Sequence, residues 1–400
     1  MRLIFAITLL AALTIESVSA GAKPIHIVVR VPNDTPASTQ IFLAGSLTTV
    51  GIWKADGLKL KRQEDGTYAG DIDLDSGQTL EYKITRGDWS TVEKQSDGSE
   101  RPNRTLTAGA DTNSLAITVE SWATGTVSEN HPTTVVGTLK LHRLDSQALG
   151  QQRFIRVWLP PDYNADGVRR FAVLYMQDGQ NCFDRATSAF GNEWEIDESI
   201  TKLISEKHIP PLIVVGVDNG LTRRADEYTF DADGAQGGGK AASYAKFLLT
   251  EVKPFVDNTY RTEPEPAHTH IGGSSLGGLV SLEIVRRNPN TFSGVIAMSP
   301  ALGWADESLT KAIDNAPGGL QTARGWLDIG AREGEPQSEA GPIGKNSQHY
   351  VDAARRLDAI LTKHHIAHRF TIDDLHAAHN EPAWAGRFPQ AISYLLNAKE

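Results

Sequence analysis

The sequence predicts two folded units in one chain, a small all-β sandwich followed by an α/β domain built on a mostly parallel sheet. Three observations carry this reading. Between residues 23 and 120, short alternating runs are separated by turn dipeptides. From residue 137 onward, near-continuous apolar strands alternate with helical stretches, the pattern of a parallel sheet covered on both faces. Between them, residues 121–136 (SWATGTVSENHPTTVV) are polar and turn-rich and read as a linker. A chain of 400 residues also exceeds what one core usually serves.

In chain order, Met1-Arg2 precede an apolar run from Leu3 to Leu13, and Ser17-Val18-Ser19-Ala20 offers a cleavage site after Ala20. The run is too short to span a bilayer and Glu16 closes it. Residues 1–20 are therefore expected to be a secretory signal peptide, and the mature chain to be secreted or periplasmic, with no membrane span. Residues 25–31, 40–44, 68–74, 79–85, 104–107 and 114–119 are the expected strands of the first unit (23–120). Asp65-Gly66, Ser76-Gly77, Arg86-Gly87 and Asp97-Gly98 supply its turns. The second unit (137–400) has expected strands at 137–144, 153–159, 172–176, 213–217, 269–272, 294–298, 326–329 and 369–372. Its expected helices include 241–258, 276–287 and 348–364.

Composition excludes several classes of function. A net charge of −10 leaves no basic footprint for nucleic acid or an anionic membrane surface. A single cysteine, Cys182, forbids an intrachain disulfide and a cysteine-based metal site. His268 with His270, and His364 with His365, have no carboxylate at a recognisable ligand spacing, so no metal is expected.

The chemistry is read from Ile271 to Gly278, which contains G-x-S-x-G as Gly273, Ser275 and Gly277 between an expected strand and an expected helix. Such a turn pushes a serine oxygen out of the sheet, and glycines two before and two after relieve its crowding. Ser275 is the expected nucleophile; Ser274 lacks the flanking spacing. The base should follow the last strand, where His379 is preferred and His376 is the alternative. The acid should lie past the strand at 326–329. Glu333 is preferred there over Asp328, which lies inside the strand, and over Glu335. Two backbone N–H groups should receive the oxyanion: that of Leu276 at the helix start, and one after the strand at 172–176, from Gln180 or next from Asn181. Cys182 reads as a buried inert thiol. Glu193-Trp194, Asn219, Arg223, Glu227-Tyr228 and Trp304 follow strand C-termini and are expected to line the pocket with Asn181. Arg223 and Glu227 could equally form a structural ion pair.

MQDGQNCFD, GGSSLGG, DIGARE and HNEPAW, in this order and spacing, resemble the esterase D or "putative esterase" family of α/β-hydrolases. That family includes feruloyl and acetylxylan esterases, enterochelin-type siderophore esterases and mycolyltransferases. The resemblance covers about residues 137–397 and implies an eight-stranded α/β-hydrolase fold with Ser275 as nucleophile, Glu333 as acid and His379 as base. Many relatives have aspartate where this chain has Glu333. GSLTTVGIW, EYKITRGDW and PNRTLT resemble a starch-binding-type carbohydrate-binding module, which holds glucan rings against tryptophans beside a lysine and an asparagine. This implies Trp53, Lys83 and Asn103 as sugar contacts. Lys94 stands where a second tryptophan is expected, and Trp89 lies on the same hairpin. The resulting expectation is a secreted serine carboxylic-ester hydrolase without a cofactor, acting on carbohydrate-linked feruloyl or acetyl esters. A siderophore esterase and an acyltransferase are the alternatives, and a glycan-binding protein with an inactive hydrolase domain is the alternative of another class.

Overall fold

The computed structural model describes residues 23–397 except 52–53, 89–90, 97–100, 102, 110–111, 123–132, 166, 189–190, 235 and 336–339. The expected signal peptide, most of the expected linker, Trp53 and Trp89 lie outside the described residues.

In the first unit, period-two alternation turns one face of each strand inward. Ile25, Ile27 and Val29 of β1 (Lys23–Arg30) are buried while their neighbours face outward. It is followed by β2 (Ile41–Gly45), β3 (Leu58–Arg62), β4 (Tyr68–Leu74), β5 (Thr79–Thr85), β6 (Glu93–Lys94), β7 (Arg104–Thr107), β8 (Ser114–Thr118) and β9 (Ser121–Trp122). Seven of these form one sheet in the order β7-β5-β2-β3-β4-β1-β8, antiparallel except for the parallel pair β1 and β8. β3, which lay outside the expected strands, joins the two halves: Leu60 pairs with Ile41 on one side and Arg62 with Tyr68 on the other. The sheet curls there around a core that includes Ile27, Leu43, Tyr68, Leu80 and Ile84. Glu93 is wholly buried and is held by Arg104, whose guanidinium donates to both of its oxygens at 2.8–3.1 Å.

The second unit contains β10 (Thr138–Ser146), β11 (Gln151–Leu159), β12 (Ala172–Gln177), β13 (Leu212–Val217), the short pair β14 (Ala232–Asp233) and β15 (Gly237–Gly238), then β16 (Thr269–Ser274), β17 (Gly294–Met298), β18 (Arg324–Gly330) and β19 (His368–Asp373). Eight form a sheet in the order β10-β11-β13-β12-β16-β17-β18-β19; β10, β11 and β13 pair antiparallel and the rest parallel. Every residue of β13, β16 and β17 is buried, as expected of strands covered on both faces. Alternation along β12 sends Val173 and Tyr175 into one core with Tyr244, Phe247, Leu279 and Leu357, and Leu174 and Met176 into a second with Trp194, Ile200, Phe388 and Ile392.

The helices are α1 (Ile196–Ser205), α2 (Arg224–Tyr228), α3 (Ala241–Phe247), α4 (Lys253–Thr259), α5 (Leu276–Arg287), α6 (Ser308–Asn315), α7 (Gln348–Lys363) and α8 (Glu381–Leu396). The single helix expected over 241–258 is divided by a π turn at Leu248–Val252. Pro254 is the second residue after it; it lacks an N–H and crowds the carbonyl four residues back, which the wider π turn relieves.

The core of the first unit, Ile25 to Val119, shares no member with the other two cores. A chain beginning at Pro132 is therefore expected to fold alone, with one cooperative thermal transition and native near-ultraviolet circular dichroism. Loss of that transition would show that the sandwich is needed for the α/β unit to fold.

Candidate active site

β16 ends at Ser274 and α5 begins at Leu276, so Ser275 forms the whole turn between them. Its backbone is at φ 54°, ψ −124°, a region that L-residues adopt only when surrounding structure imposes it. The flanking glycines show why. A Cβ on Gly273 would sit 2.7 Å from the Gly277 carbonyl carbon and 2.9 Å from Gln177 Cγ, and one on Gly277 would sit 3.0 Å from Gln177 Cβ. Ser275 N–H donates to Met298 O at 3.0 Å, and its carbonyl accepts from Leu279 and Ala301. Ser275 is partly exposed, whereas Ser274 is buried. Leu276 is the first helical residue, and such an N–H has no acceptor within its helix.

Register places the other groups at the same sheet end. Ser274, Met298, Asp328 and Thr371 lie in one row across β16, β17, β18 and β19, so Ser275, Ser299 and the loops after β18 and β19 all leave the sheet together. The two loops are laced by backbone bonds, Ala331 N–H to Asp373 O at 2.8 Å and Arg332 N–H to Ala377 O at 3.0 Å. Gly330 permits this approach, since a Cβ there would meet Ala377 O at 2.2 Å.

This lacing brings His379 Nδ1 to 3.0 Å from Glu333 Oε2. The Glu333 side chain is 1% exposed, and that of His379 34%. Glu333 Oε1 accepts from Gly330 N–H at 2.7 Å and from the Ser299 hydroxyl. Ser299 Oγ in turn accepts from Trp384 Nε1 at 3.0 Å and Arg387 Nη2 at 2.8 Å. Asp328, also buried, is turned the other way: it pairs with Arg387 Nη1 at 2.9 Å and accepts from Trp326 Nε1 at 2.8 Å. Burial pushes its carboxyl upward in pKa, and the charge of Arg387 opposes that. His376, the alternative base, lies 3.7 Å from Asp373 with its ring over Gly386. Among the described residues, no hydrogen bond joins Ser275 Oγ to His379, while Trp384 stands edge-on to the His379 ring at 5.1 Å.

The loop after β12 is held from several sides. Asp178, at φ 57°, accepts from Arg224 on both oxygens (2.7 and 2.8 Å) and from Asn219 Nδ2 at 2.6 Å. Gln180 Oε1 accepts from Asn219 N–H at 3.1 Å. Asn181 N–H is taken by Asp178 O at 2.9 Å, which leaves Gln180 as the better backbone donor of the two candidates. The Asn181 side chain is buried and donates to Glu381 Oε1 at 3.0 Å, so it does not line the pocket as expected.

Trp194 corrects the sequence reading in the same way, and Trp304 is also largely buried. Trp194 is 2% exposed and packs on Trp384 and Phe388; Trp304 is 8% exposed with its Nε1 on Asp231 O. The Trp194 ring acts in packing, and Trp304 borders a small cavity with Tyr228, Leu279 and Leu309. Glu227 takes Arg153 at 2.8 Å as its main partner, with Arg223 farther off at 3.9 Å. The Cys182 thiol is buried, and burial with the nearby Asp178 carboxylate raises its pKa well above the usual range. In the first unit, Lys83 is buried with its ammonium on Arg101 O, and Asn103 donates to Glu81 at 3.2 Å. Sequence reasoning missed Ser299, Arg387 and Glu381. The signal available for the latter two was helix α8, which starts at the Asn380 cap directly after His379 and carries Trp384 and Arg387 one turn apart.

A carboxylic-ester hydrolase is the class these parts define, and sequence comparison agrees. The profile of the family described as "Putative esterase" matches residues 146–395, and that of the starch-binding domain matches residues 24–118. The chain belongs to this esterase family and carries an N-terminal starch-binding-type domain. It is 38% identical over 96 residues to an α-amylase of Niallia circulans, covering 24% of this chain and 7% of the amylase. It is 28% identical over 202 residues to the uncharacterised YbbA of Bacillus subtilis, 49% of this chain and 74% of YbbA. The fold is shared with a ferulic acid esterase (TM-score 0.51, 16% identity, 65% of this chain and 98% of that one). It is also shared with the enterobactin esterase of Shigella flexneri (TM-score 0.52, 14% identity, 94% and 96%). Among the described residues no helix is long and apolar enough to cross a membrane.

Glu381 supplies a pH signature. Burial, reinforced by Asp178, pushes its carboxyl up to about 7, against the opposing charges of Arg224 and His379. The folded protein then keeps a proton that the unfolded chain has lost, so this group's contribution to stability falls as pH rises from about 4.5 to about 7. Glu381→Gln should gain in melting temperature relative to wild type across that window and hold a constant difference above it. Melting curves between pH 4.5 and 8.5 check this, and a difference independent of pH would contradict it.

Proposed function

We propose that Ser275, His379 and Glu333 are the nucleophile, base and acid of a serine esterase. The observation that carries this reading is the His379–Glu333 contact, formed at the sheet end where the strained Ser275 turn emerges. With Nδ1 engaged by Glu333, Nε2 is the nitrogen free to take the Ser275 proton. Ser275 Oγ attacks the ester carbonyl, the N–H groups of Leu276 and Gln180 stabilise the oxyanion, and the protonated His379 gives its proton to the leaving alcohol. Water, deprotonated by His379, then releases the acid from the acyl-enzyme. The bond from Ser275 to His379 forms with substrate in place, as is common when catalytic hydrogen bonds tighten on binding. Arg387, itself paired with Asp328, holds Glu333 from behind.

The natural substrate in this reading is an acyl ester borne by a carbohydrate, feruloyl or acetyl, outside the cytoplasm. The starch-binding-type domain supports it, because a module that retains polymer raises the local concentration of the ester without altering the chemical step. A siderophore ester is the second reading, favoured by a likeness to the enterobactin esterase fold that extends over 94% of the chain, sandwich included.

Ser275→Ala should lower hydrolysis of p-nitrophenyl acetate by about 10⁴-fold or more with the melting temperature near wild type, while Ser274→Ala keeps most activity. Glu333→Gln should cost about 10² to 10⁴ in kcat, and Asp328→Asn much less. Exchanged results within either pair would move the nucleophile or the acid. Comparing methyl ferulate, acetylated glucan and enterobactin then ranks the two substrate readings.

A further inference from the structure

At the start of α1, three carboxylates converge. Glu193, Asp197 and Glu198 each offer one oxygen, and the three oxygens lie within 4.8 Å of one another. Glu193 and Asp197 are 4% and 0% exposed, and Glu198 is half-buried. One oxygen of each buried residue has a donor: Glu193 Oε1 accepts from the Thr134 hydroxyl, and Asp197 Oδ2 from Val136 N–H at 2.6 Å. The remaining oxygens, Glu193 Oε2, Asp197 Oδ1 and Glu198 Oε2, are sealed from solvent and accept no hydrogen bond. Among the described residues none of the three pairs with a lysine or arginine. The charges acting on Glu193 are those of Glu198, Asp184 and Glu195, all of its own sign.

An acidic first turn suits the dipole of α1. That preference is met by exposed carboxylates and does not account for a clustered set of carboxylates in which each member keeps a buried oxygen without a donor. Buried polar atoms are almost always satisfied, and like charges brought together out of water need a counter-charge. Either protons or a cation must supply it. Oxygens bound to one calcium ion at 2.3–2.6 Å lie at most about 5 Å apart, so the observed separation fits a shared ion. A donor set made only of carboxylates selects a hard cation over zinc or copper.

We propose that Glu193, Asp197 and Glu198 form a calcium site. It is separate from the catalytic groups but adjoins the loop that carries Gln180. Trp194 N–H donates to Asn181 O at 2.9 Å and Ile196 N–H to Cys182 O at 3.2 Å, so the segment bearing the carboxylates is stitched to that loop. Asp184 in the same loop accepts from Thr133 Oγ1 at 3.0 Å, and residues 134 and 136 cap the carboxylates from the other side. The ion therefore staples the start of α1, the loop after β12 and the segment entering β10.

The test uses the full-length chain, stripped with chelator and returned to calcium chloride or magnesium chloride at pH 7.5. Isothermal titration should find one calcium per chain, and melting should rise on the order of 5 °C at about 100-fold excess over Kd. Asp197→Asn and Glu198→Gln should each abolish both effects, whereas Glu206→Gln, at the far end of α1, should keep them. Should Asp197→Asn fail to fold, the half-buried Glu198→Gln and the wild-type titration still decide. No binding and no shift with calcium, or a response to magnesium alone, overturns the proposal. In the first case a melting temperature in chelator that rises on acidification from pH 8 to 6 in wild type, and by clearly less in Asp197→Asn, would identify protons as the counter-charge.

Discussion

Ser275 occupies a backbone conformation whose cost is about 1–3 kcal/mol, and much of the α/β unit is organised to impose it. The turn is clamped from below by Met298 O, at the end of β17, and from above by Ala301 N–H in the loop after it. Because β16 and β17 are locked in register, the turn cannot relax without breaking the centre of the sheet. Gly273 and Gly277 are the residues that let Gln177 and the helix backbone close in on it. Strain at the serine and order at the centre of the sheet are thus two aspects of one constraint.

The same strand ends create an electrostatic problem. Asp328 and Glu333 lie behind one another in a nearly solvent-free space, and Arg387, itself buried, lies within 4 Å of both. One cation shared by two carboxylates leaves Glu333 with an unspent oxygen, and that oxygen faces His379. Ser299, at φ 44°, completes the arrangement by accepting from Trp384 and Arg387 and donating to Glu333. Helix α8 therefore contributes the groups behind Glu333, and its N-cap follows His379 by one residue.

What the sequence made legible was set by local physics. Alternation and apolar runs located the long strands of both units, though not the two-residue β6, β9, β14 and β15, and the G-x-S-x-G turn fixed the start of α5. β3 escaped notice because LKLKR has only two apolar residues and its lysines face outward. The placement of Glu333 beside His379 was readable because distance past a strand end places a backbone. The same rule failed for Trp194, since that position does not say which way a ring turns. Arg387, Ser299 and Glu381 matter through partners 59, 34 and 200 residues away, a pairing no local pattern encodes. The convergence of Glu193, Asp197 and Glu198 was hidden for a related reason: in sequence they read as an ordinary acidic helix start.

The central claim is that the strained Ser275 is the nucleophile activated by His379. It is tested most directly by treating the protein with diethyl p-nitrophenyl phosphate and mapping the adduct by peptide mass spectrometry. The account predicts one diethylphosphoryl group per chain, on Ser275, forming at a rate that parallels loss of esterase activity and absent in His379→Ala. An adduct on Ser274 or another residue, or full esterase activity in a chain fully labelled at Ser275, would contradict it.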